Sequence, residues 1–138
     1  MIETQPVYQA FGLSVRSEIQ LPELMVANNQ PDINIVYGHI PENIDCPTFA
    51  DVHFQVSPNK FLLKVQGVAN YLIENGNSII IDRSEGGSND EIRLYLLGSA
   101  FGALIHQRGM LPIHGSAIIF ENKVVIFSGK SALFPQPQ

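Results

Sequence analysis

The stretch Val68-Ala69-Asn70-Tyr71-Leu72-Ile73-Glu74-Asn75-Gly76-Asn77-Ser78-Ile79-Ile80-Ile81-Asp82 decides the fold class. Two runs rich in β-branched and aliphatic residues flank Asn75-Gly76, the pair that most readily takes the two positive φ angles of a type I′ turn. An antiparallel hairpin follows. Just before it, residues 52–56 and 60–65 are two more strand-like runs joined by Ser57-Pro58-Asn59, so the middle of the chain reads as a meander. Further upstream, 7–15 reads as a strand interrupted by Gly12, the pattern breaks at Pro22, and 32–37 alternates polar and apolar residues with the period of a half-buried strand. Residues 41–50, with two prolines, Asn43 and Asp45, have turn chemistry and are expected to cross the surface as a loop.

Downstream of the hairpin, Gly86-Gly87 releases the chain, and Ser88-x-x-Glu91 is a capping box. It predicts a helix over 90–108, with Arg108 favourable at the negative end of the dipole and Gly109 supplying the left-handed residue that stops it. Leu94, Tyr95, Leu96, Leu97, Ala100, Phe101, Ala103, Leu104 and Ile105 surround the axis, so the helix is expected to be buried on most sides. Gly98 and Gly102 lie one turn apart on it and are read as points of close helix–sheet packing. Two last strands are expected at 113–120 and 123–127. The fold expected is α/β in the α+β sense: a largely antiparallel sheet of about seven or eight strands around one long buried helix.

The 138 residues, 45% of them apolar, suffice for one sizeable core and one domain. That domain is placed at 1–131, with 132–138 as an irregular tail because its prolines forbid a regular continuation. Only 15% of the residues are charged, against roughly 25% in an average soluble domain, so part of the exterior is expected to be covered. A net charge of −5 lacks the basic footprint of phosphate-backbone recognition and argues against a nucleic-acid partner. The single Cys46 forms no internal disulfide, and no Cys/His spacing makes a zinc site. The first residues lack the basic and apolar regions of a signal peptide, and the apolar run 95–105 is shorter than the roughly 18–20 residues that span a bilayer. The expectation is a cytoplasmic protein with no membrane partner.

A strand ending in Ser128-Gly129-Lys130-Ser131 invites a phosphate-loop reading, in which glycine amides cradle phosphates and a lysine and a hydroxyl reach the β/γ-phosphates and magnesium. The spacing refuses it in both registers. With Gly129 as the second glycine, the first falls on Val124 in mid-strand. With Gly129 as the first, the glycine, lysine and serine positions hold Phe134, Pro135 and Gln136. Phe takes the glycine conformation only at a cost, and Pro carries neither charge nor amide hydrogen.

The runs Leu96-Leu97-Gly98-Ser99-Ala100-Phe101-Gly102-Ala103-Leu104-Ile105-His106-Gln107-Arg108-Gly109, Leu111-Pro112-Ile113-His114-Gly115-Ser116-Ala117 and Val124-Val125-Ile126-Phe127-Ser128-Gly129-Lys130-Ser131 resemble the segment leading into the phosphate loop of HPr serine kinase-like proteins. Phe11-Gly12-Leu13, Ser17-Glu18 and Leu21-Pro22-Glu23-Leu24 are similar to the opening of a bacterial branch of that family. The resemblance implies the front part of a phosphoenolpyruvate carboxykinase-like fold, cut off within the loop. It also implies that intact relatives use ATP and magnesium to phosphorylate a hydroxyl, often a serine on a partner protein. In this sequence Gly129, Lys130 and Ser131 are then a vestigial phosphate loop, and His114 matches the histidine that the family places near the transferred phosphate. Without the gripping lysine and acidic metal ligands, the chain is expected to carry no cofactor and no phosphoryl transfer alone.

Other readings stay open beside this one. His114 is also explained as an ordinary strand histidine, and His106 as a cation favoured at a helix end. His39 and His53 have no ligand-spaced partner and are assigned no metal. His114 and Ser116 share a strand face but lack the elbow and oxyanion donors of an acyl-transfer site. The alternative function is a non-catalytic binding or scaffold module for a protein or peptide partner, and a weaker one is residual nucleotide or anion binding at Gly129 to Ser131 with His114, using backbone amides alone. Because 124–127 is apolar and lacks a covering helix, self-association through that strand is expected.

Overall fold

A computed structural model describes residues 6–113, 117–120 and 123–126, with side chains placed for 6–110. The chain is mixed α+β. Nine strands form one open sheet: β1 (Val7–Ala10), β2 (Leu13–Ser17), β3 (Met25–Val26), β4 (Ile33–Tyr37), β5 (Phe49–Ala50), β6 (Phe54–Val56), β7 (Lys60–Val65), β8 (Ala69–Glu74) and β9 (Ser78–Arg83), in the order β3-β1-β2-β4-β9-β8-β7-β6-β5. Six of the eight pairings are antiparallel. The other two, β2 with β4 and β4 with β9, are parallel and join the N-terminal strands to the meander.

Local chemistry explains the expected hairpin. Asn75 and Gly76 both have positive φ (55° and 66°) and set the pairing Glu74↔Ser78 through Ala69↔Arg83. A second two-residue turn, Phe11-Gly12, splits the strand expected over 7–15 into β1 and β2. The strand expected over 113–120 is likewise two antiparallel strands, β10 (Leu111–Ile113) and β11 (Ala117–Phe120). With β12 (Lys123–Ile126) they form a separate three-stranded sheet in the order β10-β11-β12.

The helical stretch 89–107 departs most from expectation. It is three short contiguous segments: α1 (Asn89–Tyr95), a π-helical turn (Leu96–Ala100) and α2 (Phe101–Gln107). Ser88 Oγ accepts from the Glu91 amide at 3.1 Å and caps the start. Gly109 (φ 86°) ends it in a Schellman pattern, its amide donating to His106 and the Met110 amide to Ile105, each at 3.0 Å. The stretch is not buried on most sides. Ile92, Leu96, Ala100, Phe101, Leu104 and Ile105 face the sheet, while Leu94 is 65% exposed and Gly98 and Ser99 lie open. A Cβ on Gly98 would meet nothing within 4 Å, so close packing is not the reason for glycine there.

Strand alternation divides the core between two faces. Tyr71, Ile73, Ile79 and Ile81 pack under the helical stretch together with Tyr8, Val15, Ile33 and Ile35, and the Tyr71 hydroxyl donates to the Ile92 carbonyl at 2.9 Å. The opposite face carries Leu62, Leu72 and Ile80, covered by Ile40 and Ile44 from the segment expected to be a plain surface loop. Buried Gln55 pins that segment, accepting from the Ile44 amide at 2.9 Å and donating to Asn43 Oδ1 at 2.7 Å.

Candidate functional site

Among the described residues the helical stretch covers the middle of the nine-stranded sheet and leaves the β5–β7 side of the same face only partly covered. A groove runs between them. Its wall is one flank of the helical stretch, Tyr95, Ser99, Ala103, His106 and Gln107, spaced by three to four residues as one face of a helix requires. Its floor is the helix-side row of β6 and β7, Val56, Phe61, Leu63 and Val65, three of which pack on the edge of the main core.

Two cavities lie along this groove. One of about 570 Å³ is bounded by Val52, His53, Leu63, Val65, Tyr95 and Ser99. The other, about 390 Å³, is bounded by Thr48, Val56, Pro58, Phe61, Ala103 and His106. The first opens on the π-helical turn through Ser99. Such turns widen a helix locally and recur at functional positions.

Beyond the cavities the groove broadens into an aromatic row. Phe49 and Phe54 have ring centroids 5.3 Å apart, and Phe54 stacks on Phe61 at 5.6 Å with 11° between planes. The register Phe49↔Val56↔Phe61 and Phe54↔Leu63 puts all three rings on one face across three strands. Phe49 is 52% exposed and Val52 77% exposed, while Phe54 and Phe61 are half-buried.

His114, Gly129, Lys130 and Ser131 lie outside the described residues, as do Ser116 and the tail 132–138. Of the other histidines, His106 and His53 line the groove, while His39 Nδ1 lies 3.5 Å from Asp82 Oδ2, a partner distant in sequence. Of the carboxylates near Gly86-Gly87, Glu91 accepts from the Ser88 hydroxyl at 3.4 Å, Asp90 from Arg93 at 2.8 Å and Asp82 from the Ile40 amide at 3.1 Å, while the Arg83 guanidinium donates to the Gly87 carbonyl and Asn89 Oδ1. Among the described residues no three His, Cys, Asp or Glu side chains are grouped to hold a metal ion.

The electrostatics elsewhere are structural. Glu23 is held below its ordinary carboxylate range by a backbone hydrogen bond and by the Arg93 guanidinium, which donates to it at 3.0 Å. Asp51 is lowered by the Phe54 and His53 amides, which it accepts at 3.0 and 2.8 Å. Burial raises the Tyr71 hydroxyl well above its ordinary value. None of these groups bounds the groove.

Sequence reading missed Phe49, Phe54, Phe61, Tyr95 and Ser99 as a set. The available signal was three phenylalanines in consecutive short strands, which share a face only once the register is known. Comparison of the chain with family models, curated proteins and solved structures yields no match. Among the described residues no helix is long and apolar enough to cross a membrane.

Proposed function

We propose that this chain is a non-catalytic binding module that takes an apolar segment of a partner protein into the groove between the helical stretch and β6–β7. The observation that carries it is the stacked row Phe49–Phe54–Phe61, exposed at Phe49 and half-buried at Phe54 and Phe61, beside a wall that includes Ser99, Ala103, His106 and Gln107. Strands β6 and β7 are hydrogen-bonded on both sides, so the floor offers side chains rather than a backbone ladder. A partner is therefore gripped by packing, with the exposed Phe49 ring as anchor. The test is isolation of the partner from source cells followed by titration of the purified pair. Ala103→Arg, which fills the groove, is expected to weaken binding at least tenfold, and equal affinity for both chains removes the groove from the account.

A second reading rests on the sequence of 124–131 and on the strand β12 (Lys123–Ile126) that leads toward Gly129. In it the chain is an HPr-kinase-like protein of carboxykinase-like ancestry with a degenerate phosphate loop, without phosphoryl transfer alone. His114, Gly129, Lys130 and Ser131 are the remnants of its phosphate site, and ATP and magnesium are ligands of intact relatives only. Calorimetric titration with Mg-ATP is expected to give no heat of binding. Micromolar binding would instead favour a working anion site at 129–131.

A further inference from the structure

Asn75-Gly76 is the one Asn-Gly pair in the sequence, and its side chain and backbone can react with each other. The backbone nitrogen of Gly76 can attack Cγ of Asn75, forming an N–Cγ bond as the Cγ–NH2 bond breaks. Ammonia leaves, carrying the proton lost by the attacking nitrogen, and water opens the resulting succinimide to aspartate or isoaspartate. Water is the only co-reactant. Glycine favours the step because it has no side chain to shield its own nitrogen.

In this fold the attacking nitrogen is occupied. The Gly76 amide donates to Gln107 Oε1 at 2.8 Å, and Gln107 is itself held by donating Nε2 to the Ile73 carbonyl at 3.0 Å. Arg108 Nη1 fixes the other side of the residue, donating to the Gly76 carbonyl at 2.6 Å. Asn75 is exposed with φ 55°, while Gly76 is buried beneath the Arg108 stem. Attack requires the Gly76 nitrogen to lose its proton and swing toward Cγ, and the bond to Gln107 opposes both movements.

We propose that Asn75 is a site of spontaneous deamidation and that Gln107 is the residue that restrains it. The restraint reaches the groove, because Gln107 also bounds the smaller cavity. Isoaspartate at 75 inserts a methylene into the backbone of a two-residue turn, which breaks the register Glu74↔Ser78 and detaches the turn from the helix end. A chain aged in this way is expected to lose part of the groove wall.

The experiment follows Asn75 conversion in the full chain in warm neutral buffer, by mass spectrometry of the peptide and chromatographic resolution of isoaspartate. Folded wild type is expected to convert several-fold more slowly than the same chain in denaturant. Gln107→Ala, folded by circular dichroism, is expected to convert about fivefold faster than wild type, the factor for losing a hydrogen bond of about 1 kcal/mol. Gln107→Glu keeps an acceptor oxygen for the Gly76 amide but loses the Nε2 bond to the Ile73 carbonyl, and is expected to convert at a rate between those of wild type and Gln107→Ala. Equal rates for wild type and folded Gln107→Ala would overturn the proposal. So would rapid hydrogen exchange of the Gly76 amide in wild type, a measurement that decides the matter even where Gln107→Ala does not fold.

Discussion

Arg108 and Gly76, 32 residues apart, are joined by a 2.6 Å hydrogen bond from the guanidinium to the glycine carbonyl. The bond ties the end of the helical stretch to the tip of the β8–β9 hairpin, and the Cα of Gly76 lies so close that a Cβ would come within 2.8 Å of Arg108 Cγ. Arg108 was expected at the helix end for its charge. Its finer role is to lock two elements that sequence separates.

Gly76→Ala therefore carries two penalties, a methyl pressed on the Arg108 stem and a side chain at φ 66°. The expected loss is about 1–3 kcal/mol in urea unfolding. Arg108→Ala removes the crowding as well as the bond, so the double variant should lose less than the sum of the singles. Strict additivity would show that the two residues do not press on each other.

Gly87 faces a harder obstacle. A Cβ there would lie 2.3 Å from the Val68 carbonyl oxygen, which already accepts from the Ser84 amide at 3.0 Å. Backbone cannot rotate away as a side chain can, so Gly87→Ala is expected to cost about 3 kcal/mol or more. Gly98→Ala, with nothing near its Cβ, should be neutral or stabilising in the same assay. Equal effects at the two positions would mean the turn after β9 shifts freely.

What the sequence shows of this fold follows the range of the interactions. The 75–76 turn, the Ser88 cap and the Gly109 stop are each decided by residues within one turn of one another, and all are legible. The parallel pairings of β4 with β2 and β9 join residues up to 44 positions apart and leave no local mark. The cover from Ile40 and Ile44 depends on Gln55, whose polarity in a strand gives no hint that it would be buried and bonded. The groove is harder still, because Phe49, Phe54 and Phe61 become one surface only through strand register. The legible motif, Gly129-Lys130-Ser131, lies elsewhere in the chain and pointed to another chemistry.

Phe11 holds a positive φ of 55° that suits glycine or asparagine better, yet its ring lies 5.9 Å from that of Phe101 on α2. The ring contact offsets the backbone cost. Phe11→Ala keeps the strain and loses the contact, for an expected loss of about 1 kcal/mol. Phe11→Gly loses the contact but relieves the strain, and should be more stable than Phe11→Ala by about 0.5–1 kcal/mol. The reverse order in thermal unfolding would mean that the strain is absent.

Acid should weaken the fold through two carboxylates. Glu23 and Asp51 both sit below their ordinary values of 4.5 and 3.8 in the folded chain. A lowered folded value means the unfolded chain takes up the proton first as pH falls. Their contribution is thus complete above those ordinary values and disappears as pH drops through the lowered ones. Thermal midpoints taken at neutral pH and at strongly acid pH should fall less for Glu23→Gln with Asp51→Asn than for wild type. An equal fall would assign the acid sensitivity to other groups.

Among the described residues strand β12 lies at the edge of its three-stranded sheet, and its sequence Lys123-Val124-Val125-Ile126 places a charge at one end and three β-branched residues after it. Such an edge offers backbone groups to another strand, and a short apolar edge with a single lysine has little to block pairing. The expected outcome is self-association at high micromolar concentration by light scattering. Val125→Lys adds a charge in the centre of the edge and should return the monomer without moving the thermal midpoint of the nine-stranded sheet. Wild type that remains monomeric, or a Val125→Lys chain that still associates, would place any contact on another surface.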